Sequence, residues 1–182
     1  MKKYWWILIV LAAVLAFLFD PIAFTLITLL RNPFLDAVAI FSTLYLLPLL
    51  VDLAVFVYLF FIKGKFQEFA VAVLCTEVIV GVLKILIGRD RPLNVLELLS
   101  NPQLYEFASW NSSFPSSHAA LFFVMLPFLP KKVLPFGIVL AILLSLVRVY
   151  ISVHYFSDVI VGALLGLGIG FFFSRMDFSK KH

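Results

Sequence analysis

An all-α bundle of six membrane-crossing helices is the fold this sequence predicts, and three observations predict it. Of the 182 residues, 64% are apolar and 13% charged, against about 45–50% and about 25% in soluble domains, and the mean hydropathy is +1.12. The apolar residues fall into six runs, each near the length needed to span a hydrocarbon core of about 30 Å. Lysines and arginines stand in ones and twos at the ends of those runs, where their charged tips reach the membrane interface. No linker or composition shift interrupts the pattern, so residues 1–182 read as a single domain.

Taken in order, Tyr4–Phe19 follows Met-Lys-Lys as the apolar region of a signal peptide would. It ends in Phe19-Asp20-Pro21 rather than a small-x-small cleavage site, and so reads as a retained first crossing. Pro21–Leu30 is too short to cross alone and is expected as an interfacial segment or a kinked continuation. Leu35–Ile62 is a second crossing, long enough to tilt, with Pro48 as a kink and Asp52 at membrane depth. Phe66–Ile87 is the third. Ser116–Leu129 and Val133–Val147 are short, about 14 and 15 residues or roughly 21–23 Å of helix, so their outer ends should sit at or just beneath the headgroups. Tyr155–Phe173, the sixth, carries Gly162, Gly166 and Gly170 at four-residue spacing. Such a ridge is expected to pack inside the bundle, with a homodimer seam as its alternative use. The loop Leu93–Phe114 contains Tyr105, Phe107 and Trp110, apolar enough to lie on the interface as a lid or lateral lipid gate.

Orientation follows from the basic residues. With the N-terminus inside, Lys2, Lys3, Lys63, Lys65, Lys131, Lys132, Arg175, Lys180 and Lys181 fall on one face, nine of the 14 lysines and arginines. Both termini are therefore expected in the cytoplasm of a prokaryotic plasma membrane. The net charge of +4 is scattered rather than gathered on a tail, which excludes a nucleic-acid partner. The single cysteine, Cys75, lies in an apolar run and allows no intrachain disulfide.

Three short strings carry the chemistry: Lys84-Ile-Leu-Ile-Gly-Arg-Asp-Arg91-Pro92, Phe114-Pro-Ser-Ser-His118, and Arg148-Val-Tyr-Ile-Ser-Val-His154-Tyr-Phe-Ser-Asp158. In the six-crossing threading all three lie on the face away from the cytoplasm. Displacement at phosphorus spreads charge over three oxygens, and fixed positive donors stabilise it. Lys84 and Arg91 are seven apart and share a helix face if the third helix runs that far, with Pro92 as its stop. Arg148 arrives from another helix, and an arginine fork holds two phosphate oxygens at once. Pro115 suits a helix start, where Ser116 and the N–H groups near Ser117 make an anion site. His118 follows at the same end of that helix. His154 and Asp158, four apart, are neighbours if both stand in the first turn of the sixth helix; the carboxylate would then fix the imidazole tautomer.

The spacing K-x6-RP, P-S-x-H, R-x5-H-x3-D resembles the signature of the type 2 phosphatidic acid phosphatase (PAP2) superfamily, from Lys84 to Asp158. The resemblance implies that His154 is the nucleophile and carries a phosphoryl group transiently, that His118 protonates the leaving group, and that Ser116 and the adjacent N–H hold phosphate. It makes His154, His118 and Asp158 the catalytic group, and Lys84, Arg91, Ser116, Ser117 and Arg148 the phosphate-binding group. Ser117 stands where the family usually has glycine, and Val147 where it often has serine, which bears on substrate preference. No carboxylate–histidine cluster has metal-ligand spacing, so neither metal nor other cofactor is expected.

The expected activity is hydrolysis of a lipid phosphate monoester or pyrophosphate: phosphatidylglycerol phosphate, phosphatidic acid or polyprenyl pyrophosphate. A phosphotransferase using the same histidine and a non-enzymatic lipid-binding or transport protein are the alternatives. Arg89 and Asp90 read as an interfacial anchor. Asp52 and Glu77, inside apolar spans, read as structural rather than catalytic, and Asn111-Ser-Ser113 as a chance glycosylation sequon.

Overall fold

The computed structural model describes residues 5–43, 64–92 and 112–178, and all regular structure among them is helical. In chain order the elements are α1 (Trp5–Leu30), α2 (Pro33–Thr43), α3 (Phe66–Ile87), α4 (Ser117–Met125) with a following 3-10 turn Leu126–Phe128, α5 (Leu134–Tyr150) and α6 (Phe156–Ser174). α3 and α6 are long and apolar enough to cross a membrane, while Ala13–Ile27, Ser117–Phe128 and Leu134–Tyr150 are shorter apolar helical stretches. Their outward faces are bare hydrocarbon: Ile85 is 84% exposed, Leu86 74% and Phe136 69%. Apolar area of that extent is stable against acyl chains and not against water. The chain is a membrane protein.

Pro21–Leu30 is a continuation of the first run, not a separate interfacial segment: α1 passes through Pro21 as one helix of 26 residues. Two further boundaries bear on how the strings meet. α3 is ended by Gly88, not by Pro92: Gly88 takes the left-handed conformation at φ +59° and donates its N–H to the Lys84 carbonyl, a cap that glycine adopts without a Cβ penalty. Lys84 and Arg91 therefore do not share a helix face. α6 begins at Phe156, which leaves His154 in the turn before it. Of the run expected over Leu35–Ile62, the helix is described as far as Thr43; Pro48, Asp52, most of the 93–114 loop and Asn111 lie outside the described residues.

α4 and α6 form the most extensive helix pair, and α6 also packs on α3 and α1. The glycine ridge makes this possible. Gly162, Gly166 and Gly170 face the carbonyl oxygens of Ser116, Ala120 and Val124, so a Cβ at any of the three would collide with α4 backbone. The ridge is thus buried within the chain, against α4. Phe69, Phe122, Met125, Leu126, Phe128 and Leu144 fill the core at the other end of the pair. There Lys65 donates to the Ser174 and Met176 carbonyls at 3.3 and 2.6 Å, closing the C-terminus of α6 with a cation where the helix dipole favours one.

The packing predicts a sharp contrast between neighbouring glycines. Gly166→Ala should lose thermal stability by about 1–3 kcal/mol, the usual range for overpacking. Gly168→Ala, whose Cβ would meet nothing within 4 Å, should not. Melting both variants in detergent checks this, and equal midpoints would refute the close-packing account.

Candidate active site

The three strings are sewn together through backbone carbonyls. Lys84 Nζ donates to Ser112 O at 2.5 Å, Ser113 N to Arg89 O at 2.8 Å, and Ser113 Oγ to Asp90 O at 2.9 Å, joining the first string to the second. Arg91 Nη1 donates to Val153 O at 2.8 Å, joining the first to the third. Ser116 N donates to Asp158 O at 3.0 Å, joining the second to the third.

Within the third string a tight reversal turns His154 back towards Arg148. The N–H groups of Val153 and His154 both reach the Arg148 carbonyl at 3.2 Å, and Ser152 sits at φ +57°, a conformation that costs a non-glycine residue roughly 1–2 kcal/mol. The R-x5-H spacing is thus a folded helix end.

These links frame a cavity of about 240 Å³, below the 300–1,000 Å³ usual for drug-sized ligands. Lys84, Arg91 and Arg148 bring three cations to its wall, and Ser117, His118 and His154 complete that side. Arg148 is 3% exposed and His154 likewise. His118 stands one turn before the buried Phe122, whose ring centroid lies 6.4 Å from its own.

Two expected phosphate or catalytic residues do not line the cavity. Ser116, fully buried, is the N-cap of α4 and its side chain accepts the Ala119 N–H at 3.4 Å, so its hydroxyl serves the helix rather than the opening. Asp158 lies behind His154. Its Oδ2 is 3.5 Å from His154 Nδ1 and accepts the Tyr155 N–H at 2.9 Å. The nearer partner of Nδ1 is the Ser113 carbonyl, at 2.7 Å. A carbonyl only accepts, so Nδ1 carries the proton and Nε2 keeps the lone pair. Burial, partly offset by Asp158, pushes the His154 pKa down from 6.5 to about 4, so the imidazole is neutral at physiological pH.

Sequence reasoning missed four participants. Glu77 and Gly81 share the cavity wall with Lys84, at positions i, i+4 and i+7 of one helix face, a spacing that was legible; Glu77 is not remote from the site. Arg89 is no interfacial anchor: its Nη1 is 2.6 Å from Asp158 Oδ1 and its Nη2 2.8 Å from Asp20 Oδ2. Asp20, 6% exposed and 137 residues from its partner Ser157, left no local sign.

Comparison with known proteins bears on the fold and the family. A relative named undecaprenyl-diphosphatase, from Sulfolobus acidocaldarius, is 36% identical over 109 residues, which is 57% of this chain and 49% of the relative. The chain thus spans about half the length of that curated relative. Among solved structures, the PAP2-type phosphatidylglycerolphosphate phosphatase of Bacillus subtilis superposes with a TM-score of 0.65 at 24% identity, over 95% of both chains. Aquifex aeolicus LpxE superposes with a TM-score of 0.65 at 24% identity, over 86% of this chain and 95% of its own. Both show the same fold. The sequence pattern of the PAP2 superfamily matches residues 66–181, well over half of the chain and all three strings: the protein belongs to the PAP2 superfamily.

Proposed function

We propose that the protein is a metal-independent lipid phosphatase that hydrolyses a lipid phosphate monoester or pyrophosphate through a phosphohistidine at His154. The observation that carries the reading is the lining of one cavity by Lys84, Arg91, Arg148, His118 and His154. The three cations and the N–H groups at the start of α4 hold the phosphoryl oxygens. His154 Nε2 attacks phosphorus, the bond from phosphorus to the leaving oxygen breaks, and His118 gives that oxygen its proton. Water then attacks the phosphohistidine, surrenders a proton to His118, and inorganic phosphate leaves. Ser117 contributes its N–H and hydroxyl to the phosphate shell, and Asp158 supports the charge that forms on His154. Phosphatidylglycerol phosphate, phosphatidic acid and polyprenyl pyrophosphate are the candidate substrates.

The test is inorganic phosphate release by the purified protein from those three lipids, with excess chelator present and with vanadate as a mimic of the five-coordinate state. Release that survives chelator and falls with vanadate is expected. No release from any lipid, a strict magnesium requirement, or transfer of the phosphoryl group only to an added lipid hydroxyl would each overturn the reading.

The same reading has six crossings, both termini in the cytoplasm of a prokaryotic plasma membrane and the cavity on the outer face. Single cysteines at Asp90 and Lys132, in a Cys75→Ala background, should divide in intact cells. A membrane-impermeant thiol reagent is expected to label position 90 and spare 132. Labelling at 132 alone reverses the orientation.

A further inference from the structure

Behind His154 lies an ionic cluster, its carboxylates buried and its arginine partly so, that joins α1 to the start of α6. Arg89 bridges two carboxylates: Nη1 donates to Asp158 Oδ1 at 2.6 Å and to Ser157 Oγ at 2.7 Å, and Nη2 donates to Asp20 Oδ2 at 2.8 Å. Asp20 in turn accepts the Ser157 N–H at 2.8 Å and the Ser157 hydroxyl at 2.6 Å. The guanidinium lies 3.9 Å from the Tyr155 ring centroid and 5.0 Å from that of Phe17, which holds it in one plane. Ser157 and Asp158 are fully buried.

The charge arithmetic explains the second carboxylate. A lone Arg89 on Asp158 would cancel the charge that supports His154 when its imidazole becomes cationic. With Asp20 sharing the guanidinium, the group of two carboxylates and one arginine keeps a formal charge of −1, in a region of low dielectric where that charge acts strongly. Arg89 also fixes Asp158 Oδ1, so that Oδ2 points at Tyr155 N and His154 Nδ1. We propose that Asp20 and Arg89 are positioning residues for the reaction, acting through Asp158 to aim the His154 imidazole and to stabilise the charge it gains. The proposal rests on the phosphohistidine reading.

Neither residue touches the cavity, and the charge on His154 grows only as phosphorus is attacked, so the loss should appear in kcat and not in KM. Asp20→Asn preserves size and an acceptor for Ser157 N–H while removing the charge. Its kcat for lipid phosphate should fall about 10–100-fold, the range seen when the outer partners of metal-bound histidines are lost, with KM within about threefold. A second readout needs no turnover: in 15N-histidine-labelled protein in micelles, the His154 ring signals, assigned by their loss in His154→Gln, should shift in Asp20→Asn while those of His118 stay.

An unmoved His154 signal, or a loss confined to KM, overturns the proposal. A wild-type protein that releases no phosphate sinks the phosphatase reading instead, and the ring signals still decide this one. If Asp20→Asn is not recovered folded, Arg89→Lys, which keeps a charge but loses the planar fork that meets Asp20 and Asp158 from separate nitrogens, is measured the same way. Failure of both to fold assigns the cluster to stability alone and overturns the proposal.

Discussion

His154→Ala is expected to lower turnover on every phosphate ester by at least about 10⁴-fold, because the other residues of the cavity bind and polarise but supply no bond to phosphorus. Wild-type protein given a lipid with labelled phosphate and quenched in base should retain label that acid releases, the behaviour of a phosphorus–nitrogen bond; the variant should retain none. Burial holds the His154 pKa near 4, so the free imidazole is unprotonated at neutral pH, and activity that needs its lone pair should be lost to protonation only as pH falls towards 4, not through the ordinary imidazole range near 6.5. Asp158→Asn should fall between wild type and His154→Ala. Nε2 is still available there because the Ser113 carbonyl, 2.7 Å from Nδ1, keeps the tautomer even when the carboxylate charge is gone. Label retained by His154→Ala at the wild-type level would remove His154 from the chemistry.

That Ser113 contact marks the limit of what the sequence disclosed. The helices were legible because lipid demands long apolar runs, and residue types at fixed spacing named Lys84, Arg91, His118, Arg148 and His154, which share one cavity. Spacing cannot report a backbone carbonyl that takes the role given to a carboxylate, and Asp158 stands 3.5 Å from the imidazole instead of closer. Nor can it tell a serine that binds phosphate from one that caps a helix. Ser116 does the latter in the structure, since an N-cap position rewards the same hydroxyl. Arg89 was misjudged because an arginine at the end of an apolar run is ordinarily an anchor. Its partner Asp20 is 69 residues away on α1, a pairing that only tertiary folding creates. Glu77 differs in another way: a carboxylate inside an apolar span reads as structural, yet Glu77, Gly81 and Lys84 repeat at helical spacing and share the cavity wall.

The two histidines should separate by leaving group. His118→Ala keeps the His154 nucleophile and the three cations, and removes only the proton for the departing oxygen. For a lipid alkoxide, a strong base that leaves poorly, general acid catalysis is worth about 10²–10⁴-fold, and kcat/KM should fall by that factor. An aryl phosphate departs as a stabilised phenolate and needs little protonation, so the same variant should lose less than about tenfold on it. In His154→Ala no leaving group, however good, restores turnover, because the attacking atom is missing. The measurement is the ratio of aryl-phosphate to lipid-phosphate kcat/KM in the two variants and in wild type. It should rise by at least about tenfold in His118→Ala, while His154→Ala stays inactive on both substrates. Rescue of His154→Ala by the aryl substrate, with His118→Ala unrescued, would exchange the two roles and make His118 the residue that attacks phosphorus.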